Sequence, residues 1–343
     1  MKKVNLILLV GVLLFSFSCR GTDESQEGQQ DLKSVHLRLK WAFQGQFAGY
    51  LVAKEKGFYA EAGLDVEIRP GGPDSQSYQT CANGVDDIGV GVPAQVMMAR
   101  SNGVPLVFIA QMFQDSPNRV VAKRSSGLSN LKDVIGRKVG LWLTGDEIEF
   151  PSMLESVGLS RDEVDIVPQK FSISPFLEDE YAVSQVMTYN ELLQIEGKGF
   201  VREDLTIFTP SDYGAALLGD GLFTSQSFLD RNPKLVISFL AATFKGWDYT
   251  RDHQKEALDI VMKYNPELDR ELQEKQIQEV LKLTYAGSVN EKGLGYMETA
   301  SWKNTLRVLR KAYSQDDEVL RNLRKVDPES CFDTKYLPSQ SLE

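Results

Sequence analysis

The chain has 343 residues, a formal net charge of −10 and 42% hydrophobic residues, enough apolar length for one or two cores. A chain this acidic does not attract phosphate backbones, which excludes nucleic-acid binding and argues against a polyanionic ligand held mainly by charge. Only two histidines occur, His36 and His253, far apart in the chain, and no CxxC, HExxH or EF-hand spacing is present, so neither a metal centre nor metal-dependent chemistry is expected.

The N-terminus opens with Met1-Lys2-Lys3 and an apolar run from Val4 to Phe17, which reads as a secretory signal too short for a comfortable membrane span. Ser18-Cys19-Arg20-Gly21 resembles a bacterial lipoprotein box, although Phe17 and Ser16 stand where other residues are commoner. That resemblance implies a signal peptide over 1–19, with Cys19 diacylated as the mature N-terminus; the alternative is an ordinary cleaved signal with an incidental cysteine. Residues 20–33, acidic and poor in apolar side chains, read as a disordered tether. The expected location is the outer face of the cytoplasmic membrane, by lipid anchor alone.

From Val35 to Trp41 apolar and polar residues alternate, as in a strand. Gly45 to Phe58 carries Phe47, Tyr50, Leu51 and Lys54 at helical spacing. Leu64 to Arg69 is a second strand, ended by the loop Pro70-Gly71-Gly72-Pro73. A buried strand over 86–92, a helix over 94–101 and a strand over 105–110 follow. The pattern restarts after Arg124, with strands at 138–142, 164–168, 183–187 and 205–208, and helices at about 147–157 and from Tyr189. Beyond Ser225 only helices are expected, over 233–252, 254–264, 269–283 and 296–312. Strands alternating with helices imply α/β sheets. The expected architecture is bilobal: lobe one from 34–122 and 214–343, lobe two from 123–213. The crossings would fall near Val120–Lys123 and Asp212–Gly214. A ligand would sit between the lobes, at the carboxyl ends of the strands. Cys81 and Cys331 could pair in an exported protein, but the sequence supplies no geometry for it.

Several strings resemble the substrate-binding proteins of ABC importers, in the family related to the pyrimidine-precursor synthases of the thiamine pathway. They are Gln46 to Tyr59, Pro70-Gly71-Gly72-Pro73, Asp86 to Gly91, Gly103 to Val107, Leu131 to Gly140 and Met187-Thr188-Tyr189-Asn190-Glu191, in family order. The resemblance implies the type II periplasmic-binding-protein fold, with two mixed or parallel sheets flanked by helices and a helical C-terminal tail. It further implies delivery of a small heterocycle to permease subunits by a monomer. The related synthases of the same fold depend on a cysteine cluster and histidine chemistry, which this chain lacks apart from the lone Cys81, so neither an enzyme nor a cofactor is expected. The string at 46–50 is also carried by riboflavin-binding members of the RibY type, so riboflavin is the expected ligand and formylaminopyrimidine the alternative.

The residues themselves mark candidate contacts. Trp41 stands at a strand exit, where a ring can stack a flat heterocycle. Phe47 and Tyr50 could join it or pack their helix on the sheet. Gln44 and Gln46 offer both donors and acceptors beside these rings. In lobe two Trp142 ends a strand ahead of Thr144-Gly145-Asp146-Glu147, which has the form of a helix cap. Tyr189, Asn190 and Glu191 follow another strand end and form a candidate hydrogen-bonding set. Tyr213, at the expected hinge, completes the list. The acidic pairs Asp162-Glu163 and Glu178-Asp179-Glu180 fit a solvated surface better than a hydrolase.

Overall fold

The computed structural model describes residues 32–143, 145–170 and 172–338; the signal, Cys19, the tether up to residue 31 and Thr144 lie outside them. Among the described residues ten strands form two five-stranded sheets with the same layout. The first runs β2 (Leu64–Arg69), β1 (Lys33–Arg38), β3 (Ile88–Gly91), β10 (Gly221–Ser225), β4 (Leu106–Gln111). The second runs β7 (Asp165–Pro168), β6 (Lys138–Leu141), β8 (Val183–Met187), β5 (Asn118–Lys123), β9 (Leu205–Phe208). In each sheet the first three strands are parallel and the fourth is antiparallel to both its neighbours. That fourth strand is always one next to a crossing: β5 is the first strand after the chain enters the second lobe, and β10 the first after it returns.

This placement moves both crossings. The segment Val120–Lys123, expected to run between the lobes, lies inside β5 and pairs with β8 on one side and β9 on the other. The outward crossing therefore precedes Asn118. The return comes later than expected. Tyr213 and Ala215 still pack in the second lobe's core with Val139, Phe150 and Phe208, and the chain joins the first sheet only at Gly221.

Burial explains why these residues form these elements. Along β2 the side chains of Leu64, Val66 and Ile68 are buried while Asp65 and Glu67 face solvent. All of β4 is buried although it is an edge strand, because the C-terminal segment covers it: Phe332 bridges Phe108, and Gly295 bridges Gln111. The tail is helical, led by Pro233–Asp252, Gln254–Tyr264, Arg270–Thr284 and Thr299–Ala312. The first of these lies against the helix Ala48–Glu55 at very short range. A Cβ on Gly49 would sit 2.2 Å from the Trp247 ring, and one on Gly246 would sit 2.3 Å from the Gly49 carbonyl. Only glycine allows that approach. Cys81 and Cys331 are buried in one apolar cluster and are free thiols. Among the described residues no helix is long and apolar enough to cross a membrane.

Candidate functional site

A cavity of about 260 Å³ lies between the two sheets, lined by the loops that leave β1, β6, β7 and β8 at their carboxyl ends. The first lobe contributes Lys40, Trp41, Gln44, Gln46 and Pro73; the second contributes Trp142, Asp146, Gln169, Tyr189, Asn190 and Glu191, with Leu141, Leu143, Pro168 and Met187 between them.

The first-lobe wall is set by two supports. Gly71 donates its N–H to the Trp41 carbonyl (2.9 Å), and a Cβ there would fall 2.0 Å from the Leu39 carbonyl. The Pro70–Pro73 loop is thus a close-packed buttress for the strand exit that carries Lys40 and Trp41. The second support comes from the tail: Gln273 Oε1 accepts from Gly45 N–H (2.7 Å) and Gln276 Oε1 from Gln46 N–H (2.9 Å). These bonds hold the 3-10 turn Gly45–Phe47 that aims Gln44 and Gln46 inward. Gln44 Nε2 donates to Gln46 Oε1, and Gln46 Nε2 to Asp220 Oδ2, both at 2.6 Å.

The second-lobe wall rests on amides of its own sheet. Gln185 Oε1 accepts from the Trp142 backbone N–H (3.0 Å), and Gln185 Nε2 donates to the Asp146 carbonyl (2.8 Å), which also accepts from Asn118 Nδ2 (3.1 Å). Gln169 in turn accepts from the Ser184 hydroxyl and the Gln185 N–H and donates to the Gln185 carbonyl. Glu191 accepts from the Met187 N–H (3.0 Å) and from Asn190 Nδ2 (2.5 Å).

The lobes meet at Lys40. Its Nζ lies 2.7 Å from Asp146 Oδ1 in the second lobe and 3.3 Å from Asp220 Oδ1, and all three are nearly buried. Burial alone would lower the ammonium's pKa, but Asp146 and Asp220 together carry it well above the ordinary lysine value. Burial raises the Asp220 carboxyl, with Lys40 and Gln46 opposing. Burial also raises Glu191, against the hydrogen bonds it accepts. The single lysine lining the cavity is therefore engaged by carboxylates, and a ligand meets rings, amides and carboxyl groups.

Behind the cavity, Glu149 ties the two crossings together. Its Oε2 accepts from the Ser116 hydroxyl (3.1 Å) on the outward crossing and its Oε1 from Leu217 N–H (2.6 Å) on the return. Burial pushes this carboxyl up to about 7 despite those bonds.

Of the residues expected from sequence, Trp41, Gln44, Gln46, Trp142, Tyr189, Asn190 and Glu191 line one cavity. Phe47, Tyr50 and Tyr213 do not. Phe47 and Tyr50 are sealed in the first lobe's core, Tyr50 edge-on to Trp247 at a centroid distance of 5.4 Å, and Tyr213 packs on the second core. The helix expected from about 147 begins at Glu149, and Glu147 instead accepts from Gly145 N–H (2.8 Å). Sequence reasoning missed Lys40, Asp146, Gln169, Asp220 and Gln276. Lys40 had a signal, since it stands next to Trp41 at the same strand exit; Asp220 and Gln276 come from segments that sequence order places far away.

The fold and this interlobe cavity define a periplasmic-binding-protein-like protein. Residues 44–257 match the NMT1/THI5-like family, and the chain belongs to it. A formylaminopyrimidine-binding protein of Halalkalibacterium halodurans is 24% identical over 311 residues, spanning 89% of this chain and 93% of that protein. The riboflavin-binding protein RibY of Chloroflexus aurantiacus is 24% identical over 321 residues, spanning 91% and 88%. The family also holds proteins named as 4-amino-5-hydroxymethyl-2-methylpyrimidine phosphate synthase, one of them from Legionella pneumophila, 25% identical over 71% of this chain and 78% of that protein. Among solved structures, the alkanesulfonate-binding protein SsuA of Xanthomonas axonopodis superposes with a TM-score of 0.66 at 12% identity, covering 89% of this chain and 99% of that one.

Proposed function

We propose that this protein is the extracytoplasmic substrate-binding component of an ABC importer and that it captures riboflavin for delivery to a permease. The observation that carries the reading is a pair of tryptophans, Trp41 from the first lobe and Trp142 from the second, lining one cavity whose polar lining is mostly amide and carboxylate. Aromatic walls hold flat heterocycles by stacking, and amides satisfy ring carbonyls and imide N–H groups. With Lys40 neutralised, a phosphate finds no cation, so FMN binds more weakly than riboflavin.

Formylaminopyrimidine is the second reading, and cavity size favours it. At about 260 Å³ the space lies just below the roughly 300–1,000 Å³ of pockets that take drug-sized ligands. One ring fits this closed arrangement, whereas a three-ring flavin holds the lobes wider apart. A binder is favoured over a synthase because neither histidine lies at the cavity: His36 sits between Glu67 and Asp87, and His253 stacks on Tyr249.

Titration of the purified protein with riboflavin, FMN and formylaminopyrimidine tests the reading. Riboflavin at 100 times its Kd should stabilise the fold by about 2.7 kcal/mol in a thermal-shift assay, with quenched flavin fluorescence. A shift with formylaminopyrimidine alone replaces the ligand, and no shift with either rejects solute capture. For the anchor proposed at Cys19, Cys19→Ala should move the protein from membrane pellets to the soluble fraction; unchanged partitioning rejects it.

A further inference from the structure

A continuous chain of polar side chains runs under the cavity and crosses between the lobes twice. One crossing is Lys40 to Asp146. The other is made by Gln276, on the tail helix Arg270–Thr284 and outside the 44–257 segment that matches the family. Gln276 is fully buried. Its Oε1 accepts from Gln46 N–H (2.9 Å), and its Nε2 donates to Gln44 Oε1 (3.4 Å) and to Asn190 Oδ1 (3.3 Å) in the second lobe.

The direction of this chain is fixed at both ends. Asp220, facing the Lys40 ammonium, only accepts, so Gln46 must donate to it through Nε2. Gln46 Oε1 then accepts from Gln44 Nε2, which leaves Gln44 Oε1 to accept from Gln276. At the other end Asn190 gives its Nδ2 to Glu191, so its Oδ1 must face Gln276. Tyr189, in the same cavity lining, has its phenol pushed up by burial and keeps its own proton to give. The two bonds from Gln276 Nε2 are long for N–H···O contacts, and they are the joint that lobe motion would make or break first.

We propose that Gln276 is a positioning residue of the ligand site: it holds the Gln44 and Gln46 amides so that N–H donors face the cavity, and it couples that wall to Asn190 in the closed state. The inference rests on the capture of a heterocycle proposed above, and it specifies how that ligand is held. A carbonyl or ring-nitrogen edge turns toward Gln44 and Tyr189.

Two variants test it. Gln276→Leu removes all three bonds, and Gln276→Glu keeps only the acceptor for Gln46 N–H, so it decides the matter if the leucine variant does not fold. Each is titrated with riboflavin and with formylaminopyrimidine, alone and combined with Asn190→Ala. For whichever probe the wild type binds, Kd should rise about tenfold in both variants, the size expected for losing one or two hydrogen bonds. Asn190→Ala alone is measured beside them; each double variant should lose several-fold less than the product of the two single losses, because Gln276 and Asn190 share one contact. In parallel, small-angle scattering of ligand-free protein should show the variants less compact than the wild type. A wild-type Kd in Gln276→Glu, or independent, multiplying losses in the double variants, overturns the proposal. If the wild type binds neither probe, the transport reading fails and the scattering decides this one: variants as compact as the wild type overturn it.

Discussion

The two walls of the cavity are built by opposite means. The second-lobe wall is self-sufficient: Asn118, Gln169, Ser184 and Gln185, all on or beside its own strands, hold Trp142 and Asp146 in place. The first-lobe wall borrows its support from far along the chain. Gln273 and Gln276 pin the Gly45–Phe47 turn, and the 233–252 helix clamps the helix behind it through Gly49, Gly246 and Trp247. The comparison teaches that the helical tail builds the ligand-facing turn of the first lobe, whereas it touches the second-lobe wall through the long Gln276–Asn190 contact.

That contrast can be broken at its strongest point. Trp247→Ala should remove about 3–5 kcal/mol of stability, measured by urea unfolding, and should loosen hydrogen-exchange protection over 44–55 far more than over 138–187. Equal loosening of both walls would mean that the second is not self-sufficient.

Glu149 probes the seam between the walls. A carboxyl raised to about 7 in the folded state binds a proton that the unfolded chain, at an ordinary carboxylate value, has already released. Its contribution to stability is therefore greatest below the unfolded pKa and falls as pH rises through about 7. Glu149→Gln should remove this dependence, narrowing the loss of stability between pH 5 and 8 by up to about 3 kcal/mol, read from melting temperatures across that range. An unchanged pH profile would place the titration elsewhere.

Gln185→Leu sharpens the comparison within the second lobe. It strips the Trp142 N–H and the Asp146 carbonyl of one partner each, and should cost about 1–3 kcal/mol by urea unfolding while leaving protection over 44–55 intact. The smallest effect on the fold is expected for Trp41→Ala. Its ring is only partly buried, so stability should change by under about 1 kcal/mol. Ligand affinity should nevertheless fall by about 1–3 kcal/mol if the ring stacks on the heterocycle. Unchanged affinity for the bound probe would remove Trp41 from the site.

Much of the architecture was legible because its signals are local. The strands at 64–69, 183–187 and 205–208 and the helices at 233–252 and 254–264 fall at the bounds their patterning indicates. β5 and β10 were missed. Both are defined by neighbours from distant sequence, antiparallel to strands of a lobe the chain has just entered, and short strands such as Gly221–Ser225 carry little periodicity of their own. Missing them misplaced both crossings. The same division holds at the site: Trp41, Trp142 and Tyr189–Glu191 were found because strand ends point to clefts, whereas Asp220 and Gln276 matter only once the chain has returned. Phe47 and Tyr50 mark the converse error. Their spacing with Leu51 and Lys54 is that of a helix face, and that face is turned to the sheet and to Trp247, so much of the Gln46–Tyr50 string encodes packing rather than ligand contact.

The return of the chain to complete the first sheet with β10 also sets an order of assembly during synthesis. Every strand of the second sheet lies between Asn118 and Phe208, so that sheet can close as soon as Phe208 has emerged. The first sheet begins at Lys33 but lacks an interior strand until Ser225 is made, and its ligand turn stays unpinned until the 270–284 helix arrives. Contacts that wait on distant sequence form late and leave apolar edges open meanwhile. The half of the molecule that is translated first is thus completed last, and its apolar edges stay open the longest.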